Sequence, residues 1–297
     1  RQLTKPMKTS RILTASVAGC AALAVALTPN AQGEPVEVTG WAQVEYFEEI
    51  PGTAVLDLLE SVKYLDNLPD NVVSVRGIDL INGYGDEYGS RTTGWIVVSE
   101  TGDYDIFIRS DDASELYLSG DENIPDPDID WDTLICEETG CCNAFLEPGA
   151  FQTTASPIRL TAGQKYGFNF LQKEGGGGDW GQVAMRMVGD ETPAADLTPI
   201  GGENLISMAD ISGISLEITT QPKDTQGVEG TTSTLTVVAE VTDEDGDPPS
   251  VYYQWQKDDV DIPGATGAEY TTPVLALGDD AKYTVIVETL GYMVTSD

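Results

Sequence analysis

Two adjacent acidic residues, Asp111 and Asp112, separate the alternating segments YDIFIRS and ELYLSG. Alternating apolar and polar residues are typical of half-buried β-strands, so the pair lies where one strand ends and another begins. Neighbouring carboxylates repel each other unless a cation lies between them. Calcium takes about six to eight oxygen ligands, often carboxylates and backbone carbonyls in loops. The pair is therefore a candidate cation site; the alternative is a turn fixed by side-chain to backbone hydrogen bonds.

A second acidic segment, DPDIDWD, places an aspartate at every second position from Asp126 to Asp132. Side chains two residues apart share one face of an extended chain, so these four carboxylates would lie side by side. Such a run is tolerated with a bound cation or with full exposure to water, and we favour solvation at the surface.

The chain contains no histidine among its 297 residues. It therefore lacks the commonest general base, the usual partner of a serine nucleophile and the commonest zinc ligand. Paired carboxylates still permit glycosidase chemistry, but acidic pairs are too frequent in this chain to indicate it. The absence of histidine favours a protein without enzymatic activity.

Acidic residues outnumber basic ones by 50 to 15, which gives a formal net charge of −35. A polyanion of this kind repels phosphate backbones and anionic membrane surfaces, so we expect no nucleic-acid partner. The charge suits solubility in a salty environment, where dissolved ions screen the self-repulsion. It also fits carboxylates that bind divalent cations, and the two explanations are compatible.

Residues 7–33 have the pattern of a secretory signal peptide, with a basic start, a short apolar run and small residues up to Gly33. The alternative is lipidation at Cys20, because VAGC is similar to a bacterial lipobox. No later segment reaches the ~18 apolar residues that a membrane span needs. We expect a secreted, extracellular or cell-surface protein, anchored through Cys20 in the alternative case.

Three cysteines follow the signal segment, namely Cys136, Cys141 and Cys142. An exported protein meets oxidising conditions, so we expect one disulfide, between Cys136 and either Cys141 or Cys142. Three is an odd number, so one thiol stays free or pairs between chains. A zinc site is the weaker alternative, because four suitable ligands are not in sight.

The remaining chain favours an all-β fold, because glycine and proline are plentiful and helical periodicity is scarce. Residues 35–190 form one domain of short alternating segments, in which TAVLDLLESVKYL is the one amphipathic stretch, interpreted as a short helix. Residues 191–214 are rich in proline, glycine and small side chains and are typical of a linker. Residues 215–297 contain a second series of strand patterns, at the spacing of a β-sandwich.

The first domain resembles the PA14 family from about Trp41 to Val188. The resemblance lies in ordered motifs, which are YGSRTTGWI, the TGDY turn, SDDASELYLS, LTAGQKY and KEGGGGD. It implies a β-sandwich or barrel of the kind found in bacterial toxins, glycosidases and fungal adhesins. In the lectin-like members, paired aspartates joined by a cis peptide bind calcium, which bridges to sugar hydroxyls. Asp111 and Asp112 match that pair.

A second loop completes the calcium site in those members, and KEGGGGD stands in its place. The resemblance therefore adds Glu174 and Asp179 as metal ligands, with glycine carbonyls as further oxygens. It makes Asp111, Asp112, Asp179 and Trp180 the candidate carbohydrate contacts, Trp180 by stacking on a sugar ring. The alternatives are a plain surface loop for Glu174 and Asp179 and ordinary packing for Trp180.

Residues 215–297 resemble a bacterial immunoglobulin-like domain. Trp255 stands at the position of the core tryptophan, and Tyr283 in DDAKYTV stands at that of the tyrosine corner. Val285 replaces the second cysteine, so apolar packing must replace the disulfide between sheets. The segment is shorter than a full domain, so we expect it to be truncated at its C-terminus, with further domains following.

We therefore predict a calcium-dependent carbohydrate-binding module, lectin-like or adhesive, with a glycan or polysaccharide as partner and the immunoglobulin-like domain as spacer. The alternative is a structural or adhesive surface protein whose PA14 fold makes protein contacts without binding sugar. A glycoside hydrolase component ranks third, because both domains resemble accessory modules and no segment remains for a catalytic domain.

Overall fold

The computed structural model describes residues 34–80, 82–243, 249–277 and 280–297. The expected signal segment 7–33, with Cys20, lies outside these residues. Several antiparallel sheets account for most of the regular structure, which confirms the predicted all-β sandwich class. The expected amphipathic segment forms two single-turn helices, α1 (Val55–Leu59) and α2 (Val62–Leu65). No helix in the described part of the chain is long and apolar enough to cross a membrane.

The first domain contains two antiparallel sheets. Their strands are β1 (Val36–Thr39), β2 (Trp41–Phe47), β3 (Asn71–Arg76), β4 (Tyr88–Val97), β5 (Gly102–Asp111), β6 (Ala113–Leu118), β7 (Leu134–Glu138), β8 (Ile158–Leu160), β9 (Lys165–Glu174), β10 (Trp180–Met187) and β11 (Leu205–Ala209). The large sheet has the order β1-β11-β4-β9-β6-β7, and β2 pairs with both β3 and β4. The small sheet has the order β10-β5-β8. Single 3-10 turns lie at Trp131–Thr133, Ala194–Asp196 and Gly202–Asn204.

The core of this domain lies between the two sheets and fixes the strands that carry the candidate site. Ile106 and Ile108 on β5 and Phe170 on β9 are fully buried in the same cluster. Burying a side chain of this size stabilises the fold by about 1.5–3 kcal/mol. Successive side chains of a strand point to opposite faces, so Arg109 and Asp111 lie on the outer face of the small sheet.

The segment expected to be a linker contributes a strand to the first domain. Strand β11 lies within residues 191–214, yet it pairs with β1 and β4 of the large sheet. Its Leu205 is fully buried. The strand is short and follows a stretch rich in proline and glycine, so its pattern is obscured in the sequence. The first domain therefore extends beyond residue 190, and this corrects the expected boundary.

The second domain is also built from short antiparallel strands. They are β12 (Ser215–Thr220), β13 (Thr234–Thr236), β14 (Val238–Thr242), β15 (Tyr252–Lys257), β16 (Val260–Asp261), β17 (Glu269–Thr271), β18 (Tyr283–Thr289) and β19 (Tyr292–Thr295). Trp255 and Val285 face each other across β15 and β18 and are both fully buried. This confirms Trp255 as a core residue. The immunoglobulin-like assignment itself stays a prediction.

The two domains share a small apolar contact. The ring of Trp41 lies edge-on to that of Tyr252, with 5.3 Å between centroids. Beside them, Arg76 forms an ion pair of 2.8 Å with Glu288. Trp41 begins β2, and the far end of that strand leads through β4 to the end of β9 that carries Glu174. The second domain therefore contacts the end of the large sheet opposite to Glu174.

Candidate functional site

Asp111 and Asp112 lie at the junction of β5 and β6, and their backbone is held by buried polar side chains. The peptide bond between them is cis, as the family resemblance implied. Gln172 donates from Nε2 to the Asp111 carbonyl at 2.8 Å, and Ser110 donates from Oγ to the Asp112 carbonyl at 2.6 Å. The Gly175 amide donates to Oδ2 of Asp112 at 3.0 Å. These contacts fix the junction and leave Asp111 and Asp112 half-exposed.

Glu174 converges with the aspartate pair. Carboxylate oxygens of Asp111, Asp112 and Glu174 all lie within 4.8 Å of one another. Glu174 ends β9 and is 0% exposed, and neither of its carboxylate oxygens accepts a hydrogen bond of normal geometry from a described residue. A buried charged carboxylate without a partner is costly, so Glu174 favours either its protonated form or a positive group beside it. We call these three residues the tip cluster.

Burial, and then the crowding of like charges, raises the pKa of two carboxyl groups in the tip cluster. Burial, followed by the charges of Asp112, Asp111 and Asp179, raises the pKa of Glu174 to about 7. The pKa of Asp111 is also raised, mainly by burial and then by Asp112 and Asp179. A carboxyl group next to other carboxylates favours its protonated form, and a cation in the same place favours the charged form.

Lys173 is the basic residue nearest in sequence, but its ammonium is used elsewhere. Its Nζ donates to the carbonyl of Gly52 at 2.7 Å and to that of Glu174 at 2.6 Å. Burial lowers the pKa of Lys173. The lysine therefore ties the Gly52 turn to the end of β9 and forms no ion pair with the tip cluster among the described residues.

The glycine loop after β9 approaches the aspartates closely enough that side chains would collide. A Cβ atom on Gly178 would lie 2.6 Å from Oδ2 of Asp111. A Cβ atom on Gly175 would lie 2.6 Å from Cγ2 of Thr53 and 3.3 Å from Oδ2 of Asp112. Glycine at both positions therefore permits this close approach of the backbone to the aspartates.

Asp179 lies near the tip cluster but is engaged by backbone amides. Its two carboxylate oxygens accept hydrogen bonds from the amides of Gly83 and Gly85, and the Tyr88 hydroxyl donates to Oδ2 at 3.4 Å. The structure brings Asp111, Asp112 and Glu174 together within 4.8 Å, and Asp179 is not part of that group. Asp179 therefore anchors the 83–85 loop beside the cluster.

Trp180 follows directly and flanks the tip cluster on the small sheet. It pairs with Asp111 across β10 and β5, and its ring is half-exposed. The Arg109 guanidinium lies over this ring, 5.2 Å from the centroid. Trp180 is therefore partly exposed beside Asp111, with a cation over its ring.

The structure corrects the expected disulfide pairing. Cys141 and Cys142 are bonded to each other, and Cys136 is a buried free thiol. Cys136 points into the core from β7, where its Sγ lies 3.3 Å from the Ile106 carbonyl, so it is out of reach of the exposed pair. Burial raises the pKa of the Cys136 thiol, which makes it unreactive.

The adjacent-cysteine disulfide borders the tip cluster. Both sulfur atoms lie within 4.8 Å of an Asp111 oxygen and of each other. The Cys142 amide donates to the Ser110 carbonyl at 2.9 Å, which holds the disulfide next to β5. Sulfurs bonded to each other are not thiolate ligands, so the disulfide shapes the rim of the site without supplying metal ligands.

The residues that hold the site from behind were not identified from the sequence. Ser110 and Gln172 are fully buried, and Ser90 donates from Oγ to Oε1 of Gln172 at 3.1 Å. One sequence signal was present, because FNFLQKE ends an apolar strand with three polar residues. Polar residues that continue a buried strand need internal partners or a ligand.

Comparison with protein-family models and with curated proteins finds no match. Among solved structures, the chain is similar to a PA14 sugar-binding domain from an RTX adhesin, with 15% identity over 55% of this chain and 96% of that one, at a TM-score of 0.39. It is similar to the PA14 domain of the MpAFP antifreeze protein, with 14% identity over 58% and 92% and a TM-score of 0.40. It is also similar to a subtype-switched epithelial adhesin 9 A domain from Candida glabrata in complex with β-lactose, with 11% identity over 57% and 88% and a TM-score of 0.38. Each TM-score is below 0.5, so these similarities by themselves assign neither family nor function.

Proposed function

We propose that this protein is a calcium-dependent carbohydrate-binding module. Asp111, Asp112 and Glu174 hold the ion, and hydroxyl groups of a glycan complete its coordination. The observation that carries the proposal is the convergence of Asp111 and Asp112 with the buried Glu174, whose oxygens accept no hydrogen bond of normal geometry from a described residue. No enzymatic activity is included in the proposal.

The donor set of the tip cluster favours calcium over softer metals. Its ligands are carboxylate oxygens, and the chain contains no histidine. Hard oxygen ligands select calcium or magnesium, whereas transition metals prefer imidazole or thiolate. Three carboxylates supply too few oxygens for the coordination number of calcium, so carbonyls of the glycine loop and an exogenous ligand are needed. Burial, followed by repulsion from Asp112, Asp111 and Asp179, raises the pKa of Glu174, and a cation beside the carboxylates would offset both effects.

Sugar hydroxyls are the exogenous ligand that the surroundings favour. Asp111 and Asp112 are half-exposed at the end of the domain, so the ion is open on one side. Trp180 offers an aromatic face beside Asp111, and such faces pack against the C–H surfaces of sugar rings. Asp179 supports the site by holding the 83–85 loop. The resemblance of the motifs to the PA14 family implies the same ligand class.

The module belongs in a secreted or cell-surface protein, given the signal pattern in residues 7–33. The second domain serves as a spacer that holds the first domain through Trp41 and Tyr252. The competing proposal is that the ion only rigidifies the loops of a structural protein. In that case calcium binds, but no glycan follows it.

A glycan array with calcium, and again with a chelator, tests the proposal. We expect binding of a defined set of glycans that is lost on chelation and in Asp112→Ala. Calcium at 100 times its dissociation constant should also stabilise the protein by about 2.7 kcal/mol, measured as a higher thermal midpoint. Glycan binding that is unchanged both in chelator and in Asp112→Ala contradicts the proposal. Stabilisation by calcium without any glycan binding supports the structural alternative.

A further inference from the structure

Arg109 differs from the other described arginines because it has no acidic partner. The other four form ion pairs, which are Arg76 with Glu288, Arg91 with Glu45, Arg159 with Asp103 and Arg186 with Glu147. No described carboxylate lies within 4.0 Å of the Arg109 guanidinium. Acidic residues outnumber basic ones by 50 to 15, so an arginine without such a partner is unexpected.

The Arg109 side chain is nevertheless held firmly. Its guanidinium lies between two aromatic rings, 4.7 Å from the centroid of Phe145 and 5.2 Å from that of Trp180. Its Nε donates to Oε1 of Gln182 at 2.5 Å, and Gln182 in turn donates to Asp79. This is its one hydrogen bond to a described residue, so both Nη groups keep free donors. A stacked guanidinium with open donors is preorganised for an acceptor from outside.

Arg109 stands next to the proposed calcium site on the same surface. Arg109 and Asp111 are two residues apart on β5, so their side chains share the outer face about 7 Å apart along the strand. Gln182 and Trp180 are their partners on β10. A pocket of about 500 Å³ opens here, lined by Asp79, Leu80, Asn82, Arg109, Trp180 and Gln182. Trp180 is common to the pocket and to the rim of the tip cluster.

We propose that this pocket is a subsite for an anionic sugar substituent, a carboxylate or a sulfate. The substituent belongs to the sugar adjacent to the one that binds calcium, and its oxygens accept hydrogen bonds from the Nη groups of Arg109. A planar guanidinium matches a carboxylate or sulfate through two parallel hydrogen bonds. The inference rests on the proposed function, because calcium binding sets where the first sugar lies.

Two sources of negative charge, Asp79 and the net charge of the whole chain, limit which ligands the pocket can accept. Asp79 lines it, but the Gln182 amide donates to that carboxylate and separates it from Arg109 in the hydrogen-bond chain. The net charge of −35 repels polyanions at long range, although ions screen such repulsion beyond about 8 Å at physiological ionic strength. The pocket is therefore suited to an isolated anionic group and not to a dense polyanion.

The test uses the calcium-loaded protein and matched oligosaccharides of one backbone in neutral, uronate and sulfated forms. We expect at least one anionic form to bind roughly tenfold more tightly than the neutral form. Arg109→Gln should abolish that ratio, and Arg109→Lys should retain part of it, because lysine keeps the charge but not the paired donors. Arg159→Gln is the control, because it removes an arginine that is paired with Asp103 on the edge strand β8 of the same sheet, and it should leave the ratio unchanged. Comparison of the uronate with the sulfate identifies which group the subsite prefers.

Every other outcome overturns either the subsite alone or the proposed function together with the subsite. Equal calcium-dependent binding of the neutral and anionic forms overturns the subsite and leaves the proposed function in place. Anionic binding that survives in Arg109→Gln, or that does not need calcium, also overturns the subsite. Calcium binding without binding of any form overturns the proposed function and the subsite with it. Calcium content measured in each complex shows whether an anionic oligosaccharide has removed the ion from the protein.

Discussion

The first domain contains two clusters of acidic side chains with opposite properties. The tip cluster brings three carboxylates within 4.8 Å, and the buried oxygens of Glu174 accept no hydrogen bond of normal geometry from a described residue. The loop cluster, which we define as Asp126, Asp128, Asp130 and Asp132, is largely exposed. Two of its carboxylates accept hydrogen bonds from its own backbone, Asp126 from the Asp128 amide at 3.0 Å and Asp130 from the Asp126 amide at 3.1 Å.

The comparison shows that acidic composition does not by itself define a metal site. The loop cluster has more carboxylates, but water and nearby amides satisfy them at little cost. In the tip cluster, two strand ends and a glycine loop hold the three carboxylates together, and that of Glu174 is fully buried. A cation is therefore favoured where the fold brings carboxylates together without providing enough hydrogen-bond donors for their oxygens.

The largest effect should come from removing one charge from the tip cluster. Asp112→Asn keeps an oxygen that can accept from the Gly175 amide, so the loop can stay in place. Because calcium affinity depends on the number of charged ligands, we expect the dissociation constant to rise by roughly a hundredfold or more. Titration calorimetry with calcium measures this. An unchanged dissociation constant would show that the ion binds elsewhere.

The second effect concerns Glu174→Gln, which should be more stable than the wild type without calcium and less stable with it. Without calcium, folding raises the pKa of this carboxyl from 4.5 to about 7, so the folded state binds more protons than the unfolded state between these values. The wild-type protein in chelator therefore loses stability relative to Glu174→Gln as the pH rises through this window. We expect the variant to be more stable by about 1–3 kcal/mol at pH ~8 and equal to wild type at pH ~4.

Urea unfolding at a series of pH values measures this difference. With calcium present, the wild-type protein should be the more stable of the two at pH ~8. Its Glu174 carboxylate binds the ion, whereas the glutamine of the variant is an uncharged and weaker ligand. A variant less stable than the wild type in chelator at high pH would mean that Glu174 has an internal partner.

A smaller effect should follow from filling the space between the glycine loop and Asp111. Gly178→Ala places a Cβ atom 2.6 Å from Oδ2 of Asp111, so the loop or the carboxylate must move. We expect calcium affinity to fall roughly tenfold while the fold is kept. Gly176→Ala is the matched control, since its Cβ would meet Asp86 at an ordinary 3.7 Å. Equal calcium affinities of Gly178→Ala and Gly176→Ala would show that the close approach of the glycine loop to Asp111 does not affect the site.

The smallest effect should come from the loop cluster. Asp128→Asn alters an exposed carboxylate that accepts no hydrogen bond from a described residue, and surface changes of this kind usually alter stability by less than about 0.5 kcal/mol. We expect calcium affinity within about twofold of the wild-type value. A large loss of calcium binding here would reverse the comparison between the clusters.

Much of the tip cluster could be predicted from local sequence. Asp111 and Asp112 stand between two alternating runs, and the four consecutive glycines after Glu174 indicate a close backbone approach. The engagement of Asp179 could not be predicted, because its amide donors lie 96 and 94 residues earlier in the chain. Which carboxylate meets a ligand and which meets an amide depends on strand pairing between distant segments.

The same limit applies to the disulfide and to the fold. Plentiful glycine and proline and scarce helical periodicity indicated an all-β chain, but the burial of Cys136 depends on the pairing of β7 with β6, which no local pattern reveals. Arg109 reads as an ordinary polar position of an alternating strand. Its stacking between Phe145 and Trp180 requires a loop and a strand from elsewhere in the chain.

The contact between Trp41 and Tyr252 has a mechanical consequence. It attaches the second domain to the start of β2, whereas the tip cluster lies beyond the opposite ends of β4 and β9. Tension applied through the second domain would enter the first domain through the backbone between β11 and β12, beside the Trp41 contact and the Arg76–Glu288 pair. Such a load would therefore act on the first domain at the end remote from Asp111, Asp112 and Glu174.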